Sequence, residues 1–148
     1  MLLNYIEAFQ SLNPNTTKED GEKPYKPALL LAVLDNIETA QITNNQIHYT
    51  PDLIASFRHY HEKLGATMSY KLRQFVYAFF HLRGEGFWQL KPNPGVDLEA
   101  SELKIDSFTK LQDAVAYARL DLNLWKLLEA YKTRAILRST LLAAYSPK

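Results

Sequence analysis

The sequence contains no cysteine. That absence removes disulfide frameworks, thiol nucleophiles, Fe–S clusters and cysteine-based zinc sites together. It is compatible with a reducing cytoplasm, which is the expected location. Long apolar runs are missing too. The longest is Ala28 to Leu34, seven residues, against the roughly 20 that a membrane-spanning helix needs, so no membrane partner is expected. The opening Met1-Leu-Leu-Asn-Tyr-Ile-Glu7 has neither a basic segment nor a long apolar one, and no secretory signal is expected. Histidine is scarce, with four in the chain and none from position 82 to Lys148. Charge of a single sign is lacking as well: 17 basic residues face 16 acidic ones, a balance that taken in bulk argues against a nucleic-acid partner. What is present is enough for a core. With 148 residues, 47% of them hydrophobic, one domain can bury roughly 68–70% of its unfolded surface without a covalent staple.

Divided along the chain, the charge is uneven. Residues 1–57 carry −4, residues 58–91 carry +4 and residues 92–148 carry +1. The middle block, with Arg58, Lys63, Lys71, Arg73, Arg83 and Lys91 against Glu62 and Glu85, is where an anionic partner would be met.

Apolar spacing predicts a helix from Met1 to Leu12, a loop from Asn13 to Lys23, and a largely buried helix from Ala28 to Ala40 entered through Pro27. Gln46-Ile-His-Tyr49 alternates as a short strand does. Thr50 and Pro51 supply an N-cap and first-turn proline for a helix ending at Gly65. A further helix is predicted over Tyr70 to Leu82, a strand over Phe87 to Leu90, and a returning strand over Ser101 to Ile105. Helices then follow over Phe108 to Leu120, Leu122 to Tyr131 and Thr133 to Tyr145. The expected fold is mainly α with a small β-hairpin, an α+β class. Residues 1–21 form an N-terminal helix and loop, 22–105 a winged-helix-like core, and 106–148 C-terminal helices, all in one domain. In such a core the third helix, here Tyr70 to Leu82, enters the major groove and the hairpin flanks it.

Catalytic motifs are weak. His59 and His61 stand two apart, which turns the two imidazoles about 200° from each other on a helix, so no shared metal is expected. Glu102-Leu-Lys104 matches half of a metal-dependent nuclease site, but Asp97 lies in the same turn region. There is no phosphate-binding Gly-rich loop and no Gly-x-Ser-x-Gly elbow. The expectation is no catalytic residue, no metal and no cofactor. Between Lys71 and Lys91, in contrast, cations alternate with aromatics, a composition suited to phosphates and to sugar or base faces. Phe75, Phe79, Phe80 and Trp88 are assigned to the core. Arg73, Tyr77, His81 and Arg83 are assigned to a ligand-facing surface.

Three segments carry a family resemblance. Glu22-Lys-Pro-Tyr-Lys-Pro-Ala-Leu-Leu-Leu-Ala-Val-Leu-Asp-Asn-Ile-Glu38, followed by Asn45-Gln-Ile47 and Thr50-Pro-Asp-Leu-Ile-Ala-Ser-Phe57, resembles the region N-terminal to the nuclease in bacterial HNH-type restriction endonucleases. Phe79-Phe-His-Leu-Arg-Gly-Glu-Gly-Phe-Trp-Gln-Leu90 matches a second hallmark of that region, and Leu120-Asp-Leu-Asn-Leu-Trp-Lys-Leu-Leu128 with Arg134 to Tyr145 resembles its helical end. Related domains include the sulfur-binding module that recognises phosphorothioate-modified DNA. The resemblance implies a specificity module for double-stranded DNA, plain or modified, partnered by a nuclease domain or a separate nuclease. In sulfur-binding members an apolar cup edged by cations receives the non-bridging sulfur, which accepts hydrogen bonds poorly and is easily polarised. Tyr77-Ala78-Phe79 corresponds to the Tyr-Pro-Phe segment of that cup, and Tyr25-Lys26-Pro27 to its His-Lys-Pro segment. Ala78 stands in place of proline and Tyr25 in place of histidine. Lys71, Arg73 and Arg83 are expected on phosphates, with Tyr25, Lys26, Tyr77, Ala78 and His81 around the reading pocket.

Two alternatives compete. One is a winged-helix-type transcriptional regulator, a homodimer through Leu124, Leu127, Leu128, Ile136, Leu141 and Leu142. The other is a protein-interaction module whose basic patch is neutralised by its own acids, Asp20, Glu22 or Glu85. The HNH nuclease motif itself is absent from the sequence, so the chain is expected to be a fragment, a stand-alone module or a relic served by another nuclease.

Overall fold

The computed structural model describes residues 1–13, 24–66 and 69–147. The loop expected at Asn13 to Lys23 lies almost wholly outside the described residues, as do Asp20 and Glu22. Among the described residues, seven α-helices and a two-stranded antiparallel sheet follow the order α1 (Leu2–Gln10), α2 (Tyr25–Glu38), α3 (Pro51–Lys63), α4 (Leu72–His81), β1 (Trp88–Pro92), α5 (Phe108–Ala114), β2 (Val115–Leu120), α6 (Leu122–Glu129) and α7 (Tyr131–Tyr145). The architecture is α+β, helix-dominated with one small ribbon. Among the described residues no helix is long and apolar enough to cross a membrane.

The centre of the molecule is α2. Every side chain from Ala28 to Leu34 is buried, so this helix is apolar around its whole circumference and must be enclosed by others. It packs on α3, α4, α6 and α7. Buried polar residues flank that run: Lys26 at one end and Asn36 at the other, whose amide donates to the Ala32 carbonyl at 2.7 Å and to Ser56 Oγ at 3.0 Å. The α3 start is built as expected, with Pro51 in the first turn and Thr50 Oγ1 accepting from the Leu53 amide at 3.2 Å. Gly65, at φ +80°, closes it.

The sheet corrects three sequence expectations. Residues 101–105 form no strand, only a turn at 101–102, and the partner of β1 is Val115–Leu120, the second half of the helix expected over Phe108 to Leu120. Helix-favouring Ala and Leu dominate that stretch, but its inner positions, Val115, Ala118 and Leu120, are buried in strand register against β1. Tertiary pairing overrides a weak local preference. The strand expected at Gln46 to Tyr49 is reduced to a single antiparallel bridge, Ile47 to Ala118, on the far side of β2.

β1 is pinned to α4. Trp88, 1% exposed, donates its indole N–H to the Phe79 carbonyl at 2.9 Å and meets the Phe79 ring edge-on at 5.3 Å. Phe75, Phe79 and Phe80 are buried, as the sequence assigned them. The leucines offered for a dimer interface are mostly consumed internally: Leu124, Leu128 and Leu141 are essentially inaccessible, while Ile136 is exposed. α7 is clamped onto α2 and α3 by charge: Arg134 bonds Glu38 at 2.5 Å, and Arg138 contacts both Asp35 and the Tyr60 hydroxyl.

Candidate nucleic-acid interface

The N-terminus of α2 meets the C-terminal half of α4, and most of the expected site residues gather there. Arg73, Tyr77 and His81 recur every four residues on α4, which aligns them along one face of the helix. That face looks away from the Phe79 side that holds Trp88. Tyr77 is 39% exposed. Its ring lies 4.1 Å from the His81 ring and 5.6 Å from the Tyr25 ring, centroid to centroid, the latter edge-on. Tyr25 in turn stacks on His61 at 5.7 Å. A continuous aromatic cluster therefore runs from α3 through α2 to the surface of α4.

Ala78 stands about 100° round α4 from Tyr77 and is fully buried. Its contribution is to let α4 approach the core closely. Lys26 is buried as well, and its ammonium is 2.6 Å from the Glu85 carboxylate, with both side chains under 10% exposed at 6% and 8%. Glu85 also accepts the Asn13 amide at 3.1 Å. Gly86, at φ +88°, makes this pairing possible, because the short 3-10 turn Leu82–Glu85 ends on a left-handed residue that an L side chain strains to occupy. Arg83 caps the Phe80 ring at 4.2 Å and bonds Glu99 at 2.7 Å. Lys71 and Arg73 are exposed and make no ion pair among the described residues.

Electrostatics favour a neutral imidazole in the cluster. Burial lowers the pKa of His81, and the nearby Arg83 and Lys26 charges lower it further. Burial also lowers that of His61, against a smaller opposing pull from Glu62. His61 Nδ1 is enclosed without a hydrogen-bond partner among the described residues. His59 is exposed, so the two histidines of α3 do diverge. Sequence reasoning named Glu85 as a neutralising acid but did not give it Lys26 as partner, and it missed Glu99, which pairs with Arg83.

Comparison with protein families and with curated proteins returns no match. Solved structures do match. A structure of the sulfur-binding and SRA domains of ScoMcrA complexed with phosphorothioated DNA superposes with TM-score 0.71 and 16% identity over 95% of this chain and 42% of that one. This chain has the sulfur-binding-domain fold. The sulfur-binding domain of SprMcrA complexed with phosphorothioated DNA shares it at TM-score 0.65 and 16% identity, over 98% of this chain and 85% of that one. Against the Type IV phosphorothioation-dependent restriction endonuclease ScoMcrA the TM-score is 0.68 at 17% identity, and the match spans 29% of that protein. On the sulfur-binding-domain fold, the α2–α4 junction is thus where this sequence sets exposed Tyr77 beside buried Tyr25 and the paired cations Lys26 and Arg83, with Lys71 and Arg73 exposed at the start of α4.

Proposed function

We propose that this chain is the DNA-binding specificity module of an HNH-type restriction system, reading duplex DNA at the α2–α4 junction, with a phosphorothioate as the modification read. The observation that carries the reading is the Tyr25–Tyr77–His81 ring cluster, open at Tyr77 and continued along α4 by Arg73. Lys71 and Arg73 hold phosphates, and the polarisable ring surface receives sulfur in preference to oxygen, since oxygen loses more hydration on apolar contact. Lys26 acts indirectly, fixing the α2 end through Glu85. Tyr25 contributes its ring to the cluster wall rather than a charged imidazole, and buried Ala78 sets the depth of the wall. Bond cleavage falls to a nuclease, carried on the same polypeptide or a separate one, and the fold shared with the DNA-bound domains of ScoMcrA and SprMcrA supports this division of labour.

Fluorescence anisotropy with matched plain and single-phosphorothioate duplexes tests the reading. The expected result is salt-steep binding with higher affinity for the sulfur-bearing duplex. Absence of binding to both at low salt rejects a DNA module and leaves the protein-interaction alternative, which the Arg83–Glu99 pair would favour. Equal affinity for the two rejects sulfur reading alone.

A further inference from the structure

The outer face of the β-ribbon carries a second cluster of uncompensated cations. In the antiparallel register Gln89 faces Arg119 and Lys91 faces Tyr117, while Trp88, Leu90, Ala118 and Leu120 form the inner rungs. The Ile47–Ala118 bridge adds a third strand position, and it places His48 beside Tyr117, with ring centroids 5.5 Å apart. The outward rung therefore reads His48, Tyr117, Lys91. Neither Lys91 nor Arg119 has an ion-pair partner among the described residues, and both are exposed. Asp121, two residues along from Arg119 and sharing a groove with it, accepts the Tyr5 hydroxyl at 3.3 Å on one oxygen and the Gln89 amide at 2.9 Å on the other. That groove, of about 520 Å³, is lined mainly by polar residues, Tyr5, Asn45, Gln89, Asp121 and Asn123, with Leu120 and Leu122 completing it. Its wall is rigid. Asn45 donates to the Leu120 carbonyl and accepts the Leu120 amide, both at 2.8 Å, locking the edge of β2.

We propose that this ribbon face is a second, sequence-independent contact for nucleic-acid phosphates, with Lys91 and Arg119 as the phosphate ligands and the Tyr117–His48 rings against sugar. The inner face of β1 packs on the Phe79 side of α4, and the Arg73–Tyr77–His81 stripe is on the other side of that helix. The two cationic faces look in opposite directions, so a straight duplex seated on the stripe leaves the ribbon free for another segment of backbone. Charge complementarity selects the occupant: two unpaired cations flanked by amides and rings suit a polyanion with sugars, while an apolar partner would find little beyond Leu122 at the groove beside Arg119. The inference rests on the DNA-binding reading of the α4 face.

The test immobilises one plain duplex, adds the protein at low salt and measures capture of a second, fluorescent duplex. Wild type is expected to capture it, with a log–log salt slope of about −1.8, the value for two phosphate contacts. The double variant K91E/R119E is expected to lose capture by about tenfold while still binding the immobilised duplex through α4. Both positions are exposed strand residues, and an unchanged thermal melt confirms that the variant is folded. Binding of the first duplex without capture of a second overturns the inference and leaves the α4 reading intact. Retained capture by K91E/R119E overturns it too, assigning bridging to a dimer using α4 twice. An equal loss in K126E/K132E, which reverses exposed charges on α6 and α7, overturns it in favour of a general charge effect. Failure to bind either duplex removes the DNA reading and this inference together.

Discussion

At the N-terminal end of α4, Lys71 and Arg73 extend their charge into solvent with no acidic partner among the described residues, whereas at the other end Lys26 and Arg83 are each tied to a glutamate. Three of the four belong to the basic block of residues 58–91 and Lys26 to the acidic N-terminal third, yet the division of physical work does not follow that boundary. The free pair contributes long-range attraction to a polyanion. The tied pair holds the ring cluster in shape: Lys26 joins the start of α2 to the turn after α4, and Arg83 covers Phe80. A buried ion pair is poor evidence of net stability, since desolvation offsets the Coulombic gain, but each half is costly to remove alone.

Breaking the tied end gives the largest expected effect. Lys26→Ala strands a carboxylate that is 8% exposed, and a loss of roughly 3–5 kcal/mol is expected for such an orphaned charge. Urea denaturation measures it. The double variant K26M/E85L is expected to recover most of that loss, and a single-variant loss below about 1 kcal/mol would mean that the pair is solvent-screened like a surface bridge.

Next in size is the contrast in DNA binding. K71A/R73A is expected to weaken duplex binding about tenfold at moderate salt and to flatten the salt slope by about 1.8, having removed two phosphate contacts. Arg83→Ala, whose charge Glu99 already shares, is expected to cost about twofold. Anisotropy titrations at several salt concentrations compare them. Equal losses would erase the distinction between free and tied cations.

The smallest effect is on pH dependence. Folded His81 and His61 bind protons less readily than at the ordinary value of 6.5. Between that value and the lowered folded one, the unfolded chain holds more protons, so stability rises with pH. Acidification through and below 6.5 is therefore expected to destabilise the fold until the folded-state values are passed. His61→Phe, filling the same aromatic slot beside Tyr25 and Phe57, is expected to flatten that slope in melts taken across the window. An unchanged slope would assign it to His81 or to carboxylates.

Much of this was legible in the chain. The all-apolar run Ala28 to Leu34 announced a central helix, because a helix without a polar face has to be enclosed. Thr50-Pro51 announced α3 through local capping chemistry. The periodicity of residues 72–81 separated Phe75, Phe79 and Phe80 from Tyr77, and burial follows that division. The strand at 115–120 was not legible, since Val-Ala-Tyr-Ala-Arg-Leu satisfies either state and β1 settles the choice from a distance. For the same reason Arg119 and Tyr117, read on a helix, gave no sign of sharing a surface with Lys91. Ion pairing was hidden as well: Lys26 meets Glu85 59 residues away.

The helical majority, the central position of α2, the absence of thiol chemistry and the exposed ring on α4 follow from spacing and side-chain type within a few residues. Which cations are free, which strand completes the ribbon and on which face each cation lies emerge from packing alone. Those properties depend on distances between segments far apart in the chain, where the electrostatics of a single lysine are set by whichever carboxylate the fold brings within a few ångströms.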